Sequence, residues 1–218
     1  NLGLEYNLAS ANNLWTGKAM VLQSFGPEAV GRGIAHAANL KYASGNLTWN
    51  WQHEYVSENY SAEVGFVPRT AFYKISPSIG YRWFPKSALI LSHGPELNSI
   101  RYFSLKGTQT DNTTYATYSI KFRSQSSLLV WGAHDFVLLQ RPFDPTNFSG
   151  KTLAAGTEHQ WSAMGLEYSS KPQSVFTYAF SGRVGGYYAD GKRYNLTTDL
   201  GYRFQPYVSL ALSGNYNS

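Results

Sequence analysis

Leu47-Thr48-Trp49-Asn50-Trp51-Gln52-His53-Glu54-Tyr55 alternates without a slip: Leu47, Trp49, Trp51, His53 and Tyr55 fall on one side, and Thr48, Asn50, Gln52 and Glu54 on the other. Successive strand side chains point to opposite faces, so this stretch predicts a strand with one apolar and one polar face. The same period of two runs outward in both directions. Leu2, Leu4, Tyr6 and Leu8 oppose Gly3, Glu5 and Asn7, and Tyr73, Ile75, Pro77, Ile79, Tyr81 and Trp83 oppose Lys74, Ser76, Ser78, Gly80 and Arg82. Tyr118, Ile120 and Phe122 oppose Ser119, Lys121 and Arg123; Tyr194, Leu196, Leu200, Tyr202 and Phe204 oppose Asn195, Thr197, Asp199, Gly201 and Arg203; and Val208, Leu210 and Leu212 oppose Ser209, Ala211 and Ser213.

Composition says what such strands are for. Aromatic residues make up 16% of the 218 and charged residues only 14%, yet the mean hydropathy is −0.33. A membrane helix needs roughly 18 or more consecutive apolar residues, and no such run exists. A membrane strand needs only about 9–11 residues with every second one apolar, which leaves the average polar. The sequence therefore predicts an all-β fold, a transmembrane antiparallel up-and-down β-barrel forming one domain over 1–218.

Clusters of Gly, Pro, Asn, Asp and Ser divide the chain into about 12 strands. Short turns are expected near Asn12–Asn13, Ser44–Asn46, Pro85–Ser87, Ser124–Ser126, Lys171–Gln173 and Gln205–Pro206. Longer connections are expected at 26–33, 57–70, 107–112 and 144–157, with a tight Asp190–Lys192 turn on the same side. Outer-membrane barrels show this asymmetry, with short turns in the periplasm. Gly80-Tyr81-Arg82-Trp83-Phe84-Pro85 and Gly201-Tyr202-Arg203-Phe204-Gln205-Pro206 each set rings beside a short turn, where an interfacial girdle belongs. Pro77 and Gly94-Pro95 interrupt their strands and predict a bulge or altered register. Residues 158–168 alternate poorly, with Trp161 and Ala163 on one face and Met164, Leu166 and Tyr168 on the other.

In this reading the first strand starts, and the last strand ends, on the outer side. That implies at least one further strand at each end, or about 14 or more in a whole barrel. Residues 1–10 read as a strand, with neither the basic nor the apolar region of a signal peptide.

Glu63-Val64-Gly65-Phe66-Val67-Pro68-Arg69-Thr70, followed by the strand ending Gly80-Tyr81-Arg82-Trp83-Phe84, resembles a Bacteroidota-type outer-membrane family. Its members resemble a carbohydrate-binding family 9-like periplasmic module followed by a C-terminal barrel that is described as a domain of unknown function. The resemblance implies outer-membrane localisation and a module ahead of this chain. It implies no cofactor and no catalytic residue.

Candidate functional residues fall in two groups. Lys74, Arg82, Lys121, Arg123 and Arg203 share the expected inner face with Glu5, Glu54 and Asp199. The cations either give the lumen an anion preference or pair with these carboxylates across neighbouring strands. In the loop 57–70, Glu63 and Arg69 either contact a ligand or brace the loop against a wall carboxylate.

Other chemistries find little support. There are no cysteines, which removes disulfides, thiol catalysis and thiolate metal sites. The five histidines stand about 17 to 41 residues apart, without paired metal-ligand spacing. His134 and Asp135 are adjacent in a strand, point to opposite faces and cannot share a substrate, so no enzyme is expected. The +5 charge is spread singly, and no phosphate-cradling loop or basic aromatic stripe appears, which argues against nucleotides and nucleic acid. The Asn-x-Ser/Thr sequons at Asn46, Asn59, Asn112, Asn147 and Asn195 reflect abundant turn and strand-face residues.

The expected partners are outer-membrane lipid, lipopolysaccharide and other outer-membrane proteins, and no cofactor is expected. Three functions are open at this point: a pore or transport channel, with glycans as a cargo; a structural or assembly barrel that anchors the module; and a soluble propeller or sandwich.

Overall fold

The computed structural model describes residues 1–25, 33–62, 67–148, 150–204 and 207–218. These residues form one antiparallel sheet of 13 strands: β1 (Leu2–Ala9), β2 (Trp15–Ser24), β3 (Gly33–Ala43), β4 (Leu47–Val56), β5 (Phe72–Ile75), β6 (Ser78–Tyr81), β7 (Ile90–Ser104), β8 (Gln109–Phe122), β9 (Ser127–Leu138), β10 (Glu158–Ser169), β11 (Phe176–Tyr187), β12 (Gly191–Phe204) and β13 (Val208–Asn217). Apart from β5 and β6, each strand lies beside its neighbours in sequence, an up-and-down order from β1 to β13.

β5 and β6 occupy one position in that order, which gives twelve positions across the sheet. Pro77 separates them without shifting register: His53↔Ile75 and Asn50↔Ser78 continue one ladder with β4, and Ile75↔Arg101 and Ser78↔Asn98 one ladder with β7. The Pro77 carbonyl still accepts from the Ser99 N–H at 3.1 Å, and only the missing proline N–H breaks the ladder.

The expected bulge at Gly94-Pro95 is absent, because both residues lie inside β7. Trp83 and His93 exchange both backbone hydrogen bonds, so Pro95, two residues on, turns its ring nitrogen toward the end of β6 rather than toward β8. The register shifts fall instead between Ile90 and Ser92 and between Tyr102 and Phe103. A second correction concerns 107–112. The connection is the tight 105–108 turn, made possible by Gly107 at φ 86°, and β8 has begun by Gln109. The expected connections at 26–33 and Gln205–Pro206 fall mostly outside the described residues.

Register assigns each side chain to a face. One face carries Leu4, Val21, Leu40, Trp51, Ile79, Leu97, Val130, Leu166, Leu200 and Leu212, with Leu4 paired to Val21, Leu40 to Trp51, Ile79 to Leu97, Val130 to Leu166 and Leu200 to Leu212. Among the described residues nothing covers this face: Leu4 is 78% exposed, Met164 64% and Leu212 68%. Among the described residues the buried apolar set is only Ala35, Tyr60, Phe72, Ala133, Leu139 and Ala163. The accessible surface is 14615 Å², against roughly 10,000 Å² for a compact soluble monomer of this mass.

Candidate functional site: the polar face

The opposite face is mixed: Met20, Leu22, Phe72, Tyr102, Trp131 and Trp161 lie among its polar side chains, and all eight lumen candidates lie on it. Glu5 pairs in register with Met20, Glu54 with Lys74, Lys121 with Ser127, Asp199 with Ser213 and Arg203 with Ser209. Arg82 and Arg123 stand just past the ends of β6 and β8, and the same alternation puts them on this side.

Their contacts differ. Lys74 Nζ meets Glu54 Oε1 at 3.0 Å, the cross-strand pairing that the sequence left open. Glu5 is paired instead with Lys18, at 3.0 Å, and Asp199 accepts from the Ser213 hydroxyl at 2.6 Å. Arg123 donates to the Ser87 carbonyl at 2.7 Å, and Arg203 to the Pro172 carbonyl at 3.0 Å, so both hold short turns. Arg82 and Lys121 form no side-chain ion pair among the described residues. Arg82, Lys121, Arg123 and Arg203 all stand within a few residues of the short turns, which makes that rim basic.

At the other end of the strands Arg69, just ahead of β5, meets the polar face. Arg69 donates to Asp111 Oδ2 at 2.7 Å and to Thr110 Oγ1 at 2.8 Å, and its guanidinium lies 5.2 Å from the Tyr102 ring centre. Thr110 is only 2% exposed and donates to the same carboxylate, so the geometry is that of a brace. Glu63 lies outside the described residues.

At the same rim a group of rings escaped sequence reasoning. Trp161 lies 4.6 Å from Tyr188 and 6.1 Å from Tyr187, while Phe143, from the connection 139–157, lies 5.2 Å from Tyr188. Burial, with smaller contributions from Tyr187, Asp111 and Asp135, holds the Tyr188 phenol above the usual tyrosine range. Only the poor alternation of 158–168 hinted at this group, since it turns Trp161 toward the polar side.

His134 and Asp135 do part to opposite faces. His134 Nδ1 meets the Ser162 hydroxyl at 3.0 Å, and Asp135 accepts from Thr113 at 2.8 Å. His93 lies on the apolar face, 2.6 Å from the Tyr118 hydroxyl. Among the described residues no three histidine or carboxylate side chains gather as a metal site.

The family described as "Domain of unknown function (DUF5916)" matches residues 2–218, from the first strand to the last residue. The chain belongs to the DUF5916 family. No curated protein and no solved structure matches it.

For this DUF5916 chain the match spans both faces and both rims, so the basic rim and the Arg69 brace belong to one family domain. A further feature of its polar face was invisible in sequence. Between β4, β6, β7 and β8 lies a cavity of about 330 Å³, lined in part by Thr48, Gly80, Arg82, Gly94, Glu96 and Ser119. These residues come from separate strands, and only register unites them.

Proposed function

We propose that this DUF5916 chain forms the wall of an outer-membrane β-barrel of the pore or transport type. The uncovered apolar face carries the proposal. A soluble monomer rarely exposes an apolar patch beyond a few hundred Å², whereas a barrel wall presents just such a band to lipid. A soluble propeller or sandwich would need a second layer over that face, and none is present among the described residues.

Two further observations support the reading. Rings line the apolar face beside the short turns: Trp15 lies 5.0 Å from Tyr42 and 6.0 Å from Trp49, Tyr81 5.0 Å from Trp83, Tyr168 5.7 Å from Tyr178, and Tyr202 4.6 Å from Phe204. Such a row suits a headgroup girdle. Strand lengths also suit a crossing, since most have 10 to 15 residues against the roughly 9–11 required.

Closure of β1 and β13 into a ring, directly or through about two or more further strands, completes the barrel. Lipid and lipopolysaccharide then cover the apolar face. The basic rim gives the lumen an anion preference. The resemblance to barrels that follow a carbohydrate-binding family 9-like module makes glycans or their breakdown products a cargo.

A structural anchor, docked to other outer-membrane proteins, is favoured by one observation: Arg69 and Phe143, each from a long connection, both contact residues at one end of the polar face. Heat-dependent gel mobility in the outer-membrane fraction, followed by bilayer conductance, tests both readings. A mobility shift with anion-selective conductance is expected. A shift without conductance selects the anchor, and a soluble protein with no shift sinks the barrel.

A further inference from the structure

The cavity beneath Arg82 has an unusual charge arrangement. Glu96 sits opposite Gly80 in register, and its Cγ lies 3.4 Å from where a Gly80 Cβ would stand, so the glutamate leans over the glycine. Arg82 is two residues beyond Gly80, and continuing the ladder to Trp83↔His93 sets it opposite Gly94. Gly94 cannot be replaced without moving backbone, because a Cβ there would lie 1.9 Å from the Tyr81 carbonyl oxygen. Gly80 leaves room beneath Glu96, while the Tyr81 backbone closes against Gly94 and forms one side of the hollow.

The two charges flanking this hollow do not meet. Arg82 and Glu96 form no ion pair, and neither side chain has another charged partner among the described residues. The Asn46 amide holds the Arg82 carbonyl at 2.7 Å, which fixes the backbone from which the guanidinium extends. The Ser119 hydroxyl adds a neutral polar group to the lining. A lone cation would select anions in general. Arg82 and Glu96 both line this small hollow without pairing, and a cation and a carboxylate at one site together select a solute that carries both signs.

We propose that this cavity is a binding site for small zwitterions, free α-amino acids or dipeptides, with Arg82 receiving the carboxylate and Glu96 the ammonium. The volume of about 330 Å³ admits a solute of that size. Both charges stay in contact with water, which keeps the site weak, as a channel that must release its cargo requires. The proposal rests on the pore reading and names a solute class for that lumen.

The test titrates the full chain, folded in detergent, with three probes: L-alanyl-L-alanine, N-acetyl-L-alanine, which lacks the ammonium, and L-alaninamide, which lacks the carboxylate. The dipeptide should bind about fivefold or more tightly than either singly charged probe. R82Q should abolish its advantage over L-alaninamide, and E96Q its advantage over N-acetyl-L-alanine. Equal affinity for the three probes, or the same loss for every probe in both variants, overturns the site. Both residues are exposed, so heat-dependent mobility should show the variants folded. Conductance in the same preparations separates the failures. Pores without probe discrimination refute the site and leave the pore standing, whereas absent insertion refutes the pore and leaves the titration to decide the site.

Discussion

Arg69 shows how much depends on a single side chain. Its two hydrogen bonds tie the loop 57–71 to β8, and Asp111 is shared with the nearly buried Thr110. We expect Arg69→Ala to cost about 1 kcal/mol, since a partly exposed pair contributes little by Coulomb attraction alone and Thr110 keeps one partner. Urea unfolding of the single and double variants with Asp111→Ala measures the coupling, and additive losses would show that no brace exists. Tyr188 offers a second test. Its folded pKa is raised, so the protonated form is favoured by the fold; that stability is fully present below the ordinary tyrosine value of about 10 and is lost as pH rises through the folded value. Alkaline titration should therefore loosen the contact of Phe143 with Tyr188 only above pH of about 10. Tyr188→Phe should remove that dependence, and an unchanged profile would place the titrating group elsewhere.

Among the elements, β5 and β6 carry the clearest expectation. The ladder register is continuous across Pro77, and the Ser99 N–H already bonds the Pro77 carbonyl. Pro77→Val should therefore supply the missing N–H and fuse the two strands into one. Hydrogen exchange should show a protected amide at position 77, while stability changes by no more than about 1 kcal/mol, because the lost proline rigidity offsets the new bond. A freely exchanging amide would mean that the break has another cause. The strands were legible from alternation because a face bonded to one environment keeps a strict period of two, and Lys74, Lys121 and Arg203 fell on one side for that reason. The β7 region was not. Pro95 looks like a strand breaker in sequence, and only the place where β6 ends makes it harmless. The cavity between Gly80 and Gly94 was equally hidden, since a glycine reads as a turn signal until its cross-strand neighbours are known.

At the scale of the whole molecule, the proposed lipid environment rests on the contrast between the two faces. Leu196 stands midway along β12 on the apolar face, and Thr197, next to it, belongs to the polar face. For a wall in lipid, Leu196→Arg should cost about 2–4 kcal/mol of folding free energy in vesicles, while Thr197→Lys should cost little. Equal effects would mean that both faces meet water. The family match extends over both faces, so the same contrast is expected along the whole domain.

The up-and-down order has a kinetic consequence. Every ladder joins strands adjacent along the chain, apart from the shared position of β5 and β6. The mean sequence separation of contacting residues is therefore short for so large a sheet, and closing each new ladder costs only the entropy of a hairpin loop. Assembly can advance one hairpin at a time, each strand templating the next, and a hairpin inserted at any turn would lengthen the wall without re-pairing the strands already in place.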